Sequence, residues 1–212
     1  FVSLDASVFY TYFQNVIIPD YDTNPNQIIY DNLEGKSISK GISANIDITM
    51  YNGLQFMIGG TLQNVSNTEN GVTQRQILTE SYSANWSVGY QIRPWNLKID
   101  YTGNLYGPMR LPTLGESDPR RDFSPAWSIQ NIQLSYDGIK NFEIYGGVKN
   151  LLDWTPNRGN PFIIARANDP FDKEVTFDAN GNAVATPNNP NALTFDPSYV
   201  YGPNQGIRSF IG

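Results

Sequence analysis

The chain of 212 residues carries 20 acidic and 14 basic side chains, a formal charge of −6, and is 40% hydrophobic but only 16% charged. It contains no Cys and no His, which removes disulfides, thiolate and imidazole metal sites, cysteine nucleophiles and the His-dependent hydrolytic arrangements. The acidic balance, with no dense Lys/Arg cluster, argues against binding a phosphate backbone as the main activity, and no stretch approaches the ~18 apolar residues of a membrane-spanning helix.

Aromatic residues are abundant, with 13 Tyr, 11 Phe and 4 Trp, a profile that leans toward β-structure. A membrane barrel passes the hydropathy test that a helix fails: only every second residue of a spanning strand meets lipid, so a mean hydropathy of −0.39 is compatible with residence in a bilayer. The sequence opens at Phe1 directly in strand-like residues, with no initiator Met, basic n-region or apolar signal segment. On that ground it is expected to be a mature fragment of a longer protein.

In chain order, a first extended segment is predicted from about Val2 to Phe13. A second follows with Ile42, Ala44, Ile46, Ile48 and Met50 on one face and Ser43, Asn45, Asp47 and Thr49 on the other. Tyr51-Asn52-Gly53 reads as a tight hairpin turn into a third strand, where Leu54, Phe56, Ile58, Gly60 and Leu62 share a face. Ala84, Trp86, Val88, Tyr90 and Ile92 mark a fourth strand, and Trp95, Leu97, Ile99 and Tyr101 a fifth. Weaker alternation runs from Trp127 to Tyr136, with a phase slip near Asn131, and from Phe142 to Leu152. A final strand from about Tyr199 to Gly212 makes eight.

Short links near 51–53, 93–95 and 137–141 alternate with long ones near 15–29, 65–76, 107–124 and 153–198. Brief periplasmic turns and extended extracellular loops have this polarity in outer-membrane barrels, and it leaves the C-terminus periplasmic. Aromatic girdles are expected at both levels: Tyr90, Trp95, Tyr136 and Phe142 near the short turns, and Tyr12, Tyr82, Tyr106, Trp127, Trp154 and Tyr201 near the long loops. Trp95 and Tyr106, roughly 36 Å apart along the chain at ~3.3 Å per residue, span about 26 Å in height at ~45° tilt, close to the ~25 Å apolar band. The fold class read here is therefore all-β, an antiparallel transmembrane barrel. A soluble β-sandwich is the bland alternative.

Few motifs suggest chemistry. Asp178-Ala179-Asn180-Gly181-Asn182 has the look of a calcium loop, but its twelfth position is Asn189 where a bidentate Glu is required. Between Val175, Phe177, Ala183 and Val184, Asn180-Gly181 reads better as a type I′ hairpin turn. Glu116, Asp118 and Asp122 share one long loop and read as solvated carboxylates rather than a glycosidase pair. Asn64-Val65-Ser66 and Asn85-Trp86-Ser87 fit the glycosylation sequon by chance, the second lying inside a clean strand. The candidate ligand-binding set is Arg110, Arg120, Arg121, Arg158 and Arg166 in the loops, with Tyr106 and Trp154 near strand ends, able to line a vestibule through charge-assisted bonds and stacking. No catalytic residue, metal site or cofactor is expected, and the chain is read as no enzyme.

Tyr145-Gly146-Gly147-Val148-Lys149-Asn150-Leu151-Leu152-Asp153 resembles the penultimate-strand motif "V-x-N-L-x-D" of TonB-dependent receptors. The ending, Tyr201-Gly202-Pro203-Asn204-Gln205-Gly206-Ile207-Arg208-Ser209-Phe210-Ile211-Gly212, is similar to the closing strand of that family in its Bacteroidetes-type versions, as is Tyr30-Asp31-Asn32-Leu33 leading into Gly41-Ile42. The resemblance covers nearly the whole chain. It implies a barrel of about 22 strands plugged by an N-terminal domain and energised by TonB, which takes up scarce ligands such as siderophores, haem or similar metal chelates. These residues would be about the last third of the barrel. The implied partners are the rest of the barrel, the plug, TonB through an N-terminal part absent here, outer-membrane lipid and lipopolysaccharide, and a small-molecule ligand, with no nucleic acid. The Lys-Asn-Leu-Leu-Asp form is closer to siderophore-type receptors than to the polysaccharide-importing branch. Two departures are the missing plug and TonB-contacting segment, and an ending at Gly212 where such strands usually finish on an aromatic residue. A complete eight-stranded barrel with a structural or adhesive role, and a soluble carbohydrate-binding domain or hydrolase, are the competing readings.

Overall fold

A computed structural model of the chain describes residues 1–20, 29–111, 122–156, 176–179, 183–187, 201–203 and 205–212. Its strands are β1 (Val2–Gln14), β2 (Ile17–Asp20), β3 (Ile29–Asn32), β4 (Gly35–Thr49), β5 (Leu54–Glu69), β6 (Val72–Arg75), β7 (Tyr82–Ile92), β8 (Leu97–Tyr106), β9 (Trp127–Ile139), β10 (Phe142–Lys149), β11 (Thr176–Phe177), β12 (Ala183–Val184) and β13 (Arg208–Ile211). A 3₁₀ turn at Arg93–Trp95 is the one helical element among the described residues.

The main sheet is an antiparallel meander in the order β1-β4-β5-β7-β8-β9-β10-β13, with β6 added to the loop end of β5. Its ladders are long and unbroken: β1 and β4 pair from Val2↔Ile48 to Gln14↔Lys36, and β4 and β5 from Gly35↔Glu69 to Thr49↔Gln55. No pairing joins β1 to β13, so these strands do not close on themselves as a small eight-stranded barrel would.

Cross-strand partners share a face, and the register sorts the chemistry. One face carries Val2, Leu4, Ile46, Ile48, Phe56, Ile58, Trp86, Val88, Ile99, Tyr101, Ile132 and Leu134. The other carries Asp5, Ser7, Ser43, Asn45, Asp47, Asn85, Ser87, Asp100, Thr102, Asn131 and Gln133. Polar groups on this second face satisfy one another: Ser7 and Ser43 hydroxyls lie 2.7 Å apart, Asn131 donates to Thr102 Oγ1 at 3.3 Å, and Lys98 meets Asp100 at 2.9 Å.

Among the described residues only Leu33, Met109, Leu111 and Trp127 are buried hydrophobic side chains, while Val8, on the apolar face, is 82% exposed. A soluble sandwich would bury that face against a second layer. Here it is left for lipid, as in a transmembrane barrel whose exterior is apolar and interior polar.

Several boundaries differ from the sequence reading. The second strand starts at Gly35, well before Ile42, and the third runs on to Glu69 and doubles back through Asn70-Gly71 into β6, so much of 65–76 is hairpin arm. Both Asn70 and Gly71 have positive φ, 51° and 77°, the type I′ requirement. The 15–29 link holds the small β2–β3 hairpin. The phase slip near Asn131 is absent: β8 and β9 stay in register from Leu97↔Tyr136 to Tyr106↔Trp127. Gln130 stays on the apolar face, where the Tyr101 hydroxyl donates to its amide oxygen at 2.7 Å; the irregularity falls between Phe142 and Ile144. The last strand is limited to Arg208–Ile211, because Gly202, Pro203 and Gly206 interrupt it. The β11–β12 hairpin forms around the expected turn, whose residues 180–182 lie outside the described set.

Trp86 lies across Gly103 on the apolar face, so closely that a β-carbon there would collide with the indole. Replacing Gly103 with Val must expel the ring, at about 1–3 kcal/mol for an overpacked site, whereas Gly60, with no atom nearer than 3.7 Å to an added β-carbon, has room for Ala. In the full-length protein the Gly103→Val barrel should lose its heat-resistant electrophoretic mobility at a lower temperature than Gly60→Ala. Equal transitions would show that the indole-over-glycine contact does not stabilise the wall.

Candidate functional site

At the long-loop end the connections are pinned before they leave the sheet. Ser124, 3% exposed, accepts the Met109 N–H on its hydroxyl at 3.0 Å and donates its own N–H to the Met109 carbonyl at 2.8 Å. Leu111 N–H donates to Asp122 O and Leu78 N–H to Arg110 O, both at 2.8 Å. The feet of the 107–124 loop are thus tied to each other and to the 77–80 segment, burying Met109 and Leu111.

Beside them four rings form a continuous aromatic array. Tyr106 stacks on Trp127 at 4.3 Å, Trp127 on Trp154 at 4.6 Å with planes 11° apart, and Tyr201 tilts against Trp154 at 6.1 Å. Tyr106 and Trp127 are cross-strand partners on the same face as Asp100 and Thr102, so this array belongs to the polar side. The expected upper girdle is therefore corrected for these residues: they are stacked on each other and Trp127 is only 7% exposed, so Tyr106 is no lipid-facing counterpart of Trp95. Tyr12 and Tyr82 do share the apolar face, opposite Ile38 and Leu62. The Trp127 indole Nε1 is buried without a hydrogen-bond acceptor among the described residues, a cost of about 1–3 kcal/mol.

The array is held by the Asn150–Asp153 turn. Asn150 and Asp153 both adopt left-handed backbone, φ 54° and 50°, which Asn and Asp tolerate better than other side chains. Asn150, 4% exposed, donates through Nδ2 to the carbonyls of Trp154 (2.7 Å) and Gln205 (3.1 Å), accepts the Trp154 N–H on Oδ1 (3.0 Å), and sends its own N–H to Asn131 Oδ1 (3.1 Å). Asp153 Oδ1 accepts the Ile207 N–H at 2.9 Å. Gly202 packs against the Trp154 ring and Gly206 against Asp153 Oδ1, where a side chain would collide. Together these contacts clasp the chain just ahead of β13.

A second feature is an open cleft of about 430 Å³ between the β2–β3 hairpin and the β5–β6 arm. Its lining includes Asp31, Asn67, Glu69, Gln76 and Arg110. Asn67 Nδ2 donates to Gln76 Oε1 at 2.5 Å, and an Arg110 guanidinium nitrogen lies 3.5 Å from the Arg75 carbonyl.

Of the residues singled out from sequence, Tyr106 and Trp154 come together through Trp127, while Arg110 lines the cleft. Arg120, Arg121, Arg158 and Arg166 lie outside the described residues. Trp127 was assigned to a girdle and Asn150 to a motif; their joint role needed the β8–β9 register and the left-handed turn.

A lipid-facing apolar surface, a polar inner surface, long paired strands and an elaborated end define the wall of an outer-membrane β-barrel. The family profile described as "TonB dependent receptor-like, beta-barrel" matches residues 1–151, and the chain belongs to that family, whose members are receptors and transporters of the Gram-negative outer membrane rather than enzymes. Among solved structures it resembles the ferric-catecholate import receptor Fiu from E. coli K12 (18% identity, TM-score 0.56, 72% of this chain and 21% of that one). It also resembles the ferric yersiniabactin uptake receptor FyuA from Yersinia pestis (19%, 0.57, 72% and 23%) and a variant of the ferric enterobactin receptor PfeA from Pseudomonas aeruginosa (16%, 0.51, 78% and 24%). The chain thus spans about a fifth to a quarter of the length of these receptors, and at such identities the likeness is one of fold. No curated protein sequence matches it.

Asn150→Ala deletes three side-chain hydrogen bonds and takes their partner from the Trp154 and Gln205 carbonyls and the Trp154 N–H, on the order of 3 kcal/mol. Val148 and Ser209 are register partners, and this stretch has no native Cys, so a Val148→Cys/Ser209→Cys pair in the full-length protein reports the docking of β13. Disulfide yield should fall markedly when Asn150→Ala is added. An unchanged yield would mean that the turn does not hold the last strand.

Proposed function

We propose that this chain forms part of the wall and mouth of an outer-membrane receptor that imports a scarce ligand, a ferric siderophore, haem or similar metal chelate, with energy delivered by TonB. The loops near 107–124 and 153–198 capture the ligand outside the cell, and the C-terminus lies on the periplasmic side. A plug domain and further strands, toward about 22 in all, complete the receptor, with lipopolysaccharide and lipid around it. Tyr106, Trp154 and Arg110, with Arg120, Arg121, Arg158 and Arg166 in the same loops, form the ligand-contacting set.

The observation that carries this reading is the aromatic array on the polar face at the mouth, beside loops rich in Arg. Half-buried Tyr106 and Trp154 rings offer flat stacking surfaces, and guanidinium groups complement carboxylate or catecholate oxygens. Family membership supports the transport role, and the iron-complex receptors of like fold support the ligand class. The Lys-Asn-Leu-Leu-Asp sequence resembles siderophore-type receptors, and in this fold its Asn and Asp fasten backbone.

The test is uptake of radio-iron siderophores and haem by iron-starved cells carrying the full-length receptor, with and without tonB. Import of at least one complex that disappears without tonB is expected; retention of import in the tonB mutant, or failure to import any iron complex, would overturn the reading. In the same cells Tyr106→Ala should weaken ligand binding by about tenfold, as loss of a stacking contact near 1 to 1.5 kcal/mol predicts, with surface expression maintained.

A further inference from the structure

Asn-Gly pairs occur at three places in the sequence, Asn52-Gly53, Asn70-Gly71 and Asn180-Gly181, and the last lies outside the described residues. The fold treats the other two differently. Asn52 Oδ1 accepts the Leu54 N–H at 3.2 Å, and the Gly53 N–H donates to the Met50 carbonyl at 3.2 Å. Gly53 is also tied sideways, its carbonyl accepting the Gln91 N–H at 3.3 Å, so this turn is braced by β7 as well as by its own strands. Asn70 and Gly71 are exposed, and among the described residues neither the Asn70 side chain nor the Gly71 N–H makes a hydrogen bond. A β-carbon built on Gly71 meets no atom within 4 Å. The arm behind them is thin, since β6 has four residues and pairs with β5 alone.

An asparagine side chain and the backbone nitrogen that follows it react with each other when nothing shields that nitrogen, and Gly, with no β-carbon, obstructs the approach least. The Gly71 nitrogen loses its proton and attacks Asn70 Cγ. The new N–Cγ bond closes a succinimide as the Cγ–Nδ2 bond breaks and Nδ2 departs as ammonia. Water then opens the ring. Opening at Cγ leaves Asp in a normal backbone, whereas opening at the backbone carbonyl carbon leaves isoaspartate, with the main chain routed through the side chain and lengthened by a methylene. In the closed turn the left-handed backbone of Asn70, φ 51°, aims the Gly71 nitrogen away from the side chain, so the reaction passes through local opening of the arm.

We propose that Asn70-Gly71 is a site of spontaneous deamidation and isomerisation whose rate is set by opening of the β5–β6 hairpin. Its effects meet at the cleft. Asn70 lines that cleft with Glu69, Asp31, Arg75 and Arg110, so either product adds a carboxylate to a rim that already holds both signs of charge. The isoaspartyl form also departs from the two-residue type I′ geometry that sets the Glu69↔Val72 pairing. The inference depends on neither the imported ligand nor the orientation of the barrel.

The test ages the full-length receptor in detergent at mildly alkaline pH and follows the peptides containing Asn52 and Asn70 by mass spectrometry, with fragmentation that separates Asp from isoaspartate. Asn70 should convert to both products several times faster than Asn52. The Thr68 and Thr73 hydroxyls lie 2.8 Å apart across the arm, so a Thr68→Cys/Thr73→Cys disulfide closes it without touching the reacting residues. Conversion should slow several-fold in the oxidised variant and recover on reduction. An Asn70 that stays an amide, or an Asn52 that ages as fast, would overturn the proposed site; an oxidised pair that ages like the native arm would overturn the opening step. If the cysteine variant does not fold, the Asn52 and Asn70 rates in the native protein decide alone.

Discussion

Backbone hydrogen bonding in a medium without water is the constraint from which the rest of this structure follows. An unpaired peptide group in hydrocarbon costs several kcal/mol, so a spanning chain must satisfy every N–H and C=O within protein. β4 does this through unbroken ladders on both of its sides, while β1, at the edge of the sheet, is paired along one side among the described residues. Tight turns lose little: Met50 N–H donates to Leu54 O, and Gly53, at φ 90°, returns its N–H to Met50 O. With the backbone settled by pairing, side chains are free to divide by face, and the hydrophobic effect that builds a soluble core has no core to build.

Soluble-protein rules return only where the chain leaves the bilayer. The four buried hydrophobics sit at the loop end, as do the Ser124 latch and the Asn150 turn. That end must hold loops in position over a polar opening, and it does so with packed rings and buried hydrogen bonds, which fix geometry more tightly than a solvated loop can. The mouth is a small, conventional tertiary structure mounted on an unconventional wall.

This division explains what the sequence revealed. Period-two alternation survives wherever one face meets lipid, so the strands around Ile42–Met50, Leu54–Leu62 and Ala84–Ile92 were legible with little error. It fails where lipid ends: β5 beyond Gln63 has polar residues on both faces, and its continuation to Glu69 showed only in the Asn70-Gly71 turn. Gln130 imitated a phase slip because hydrogen bonds with Tyr101 and Ser128 let an amide remain on the apolar face. Aromatic residues near strand ends suggested a girdle, but sequence position alone does not separate a ring in the lipid interface from one stacked on the polar face. Tyr106 and Trp127 needed the cross-strand register. The site was legible as residue types and approximate height, and not as contacts, since the clasp joins positions from Asn131 to Ile207 that only the fold brings together.

The polar face carries serines, threonines and amides bonded to one another and, set among them, Asp5, Asp47, Asp100 and Lys98. Amides and hydroxyls exchange partners with water and with each other at little net change in free energy, and with neither His nor Cys in the chain none of its side chains has an ordinary ionisation between about pH 5 and 8 or competes strongly for soft metal ions. The inner surface of this part of the wall is thus lined by hydrogen-bonding groups with charged side chains set among them, and it offers neither a thiol nor an imidazole.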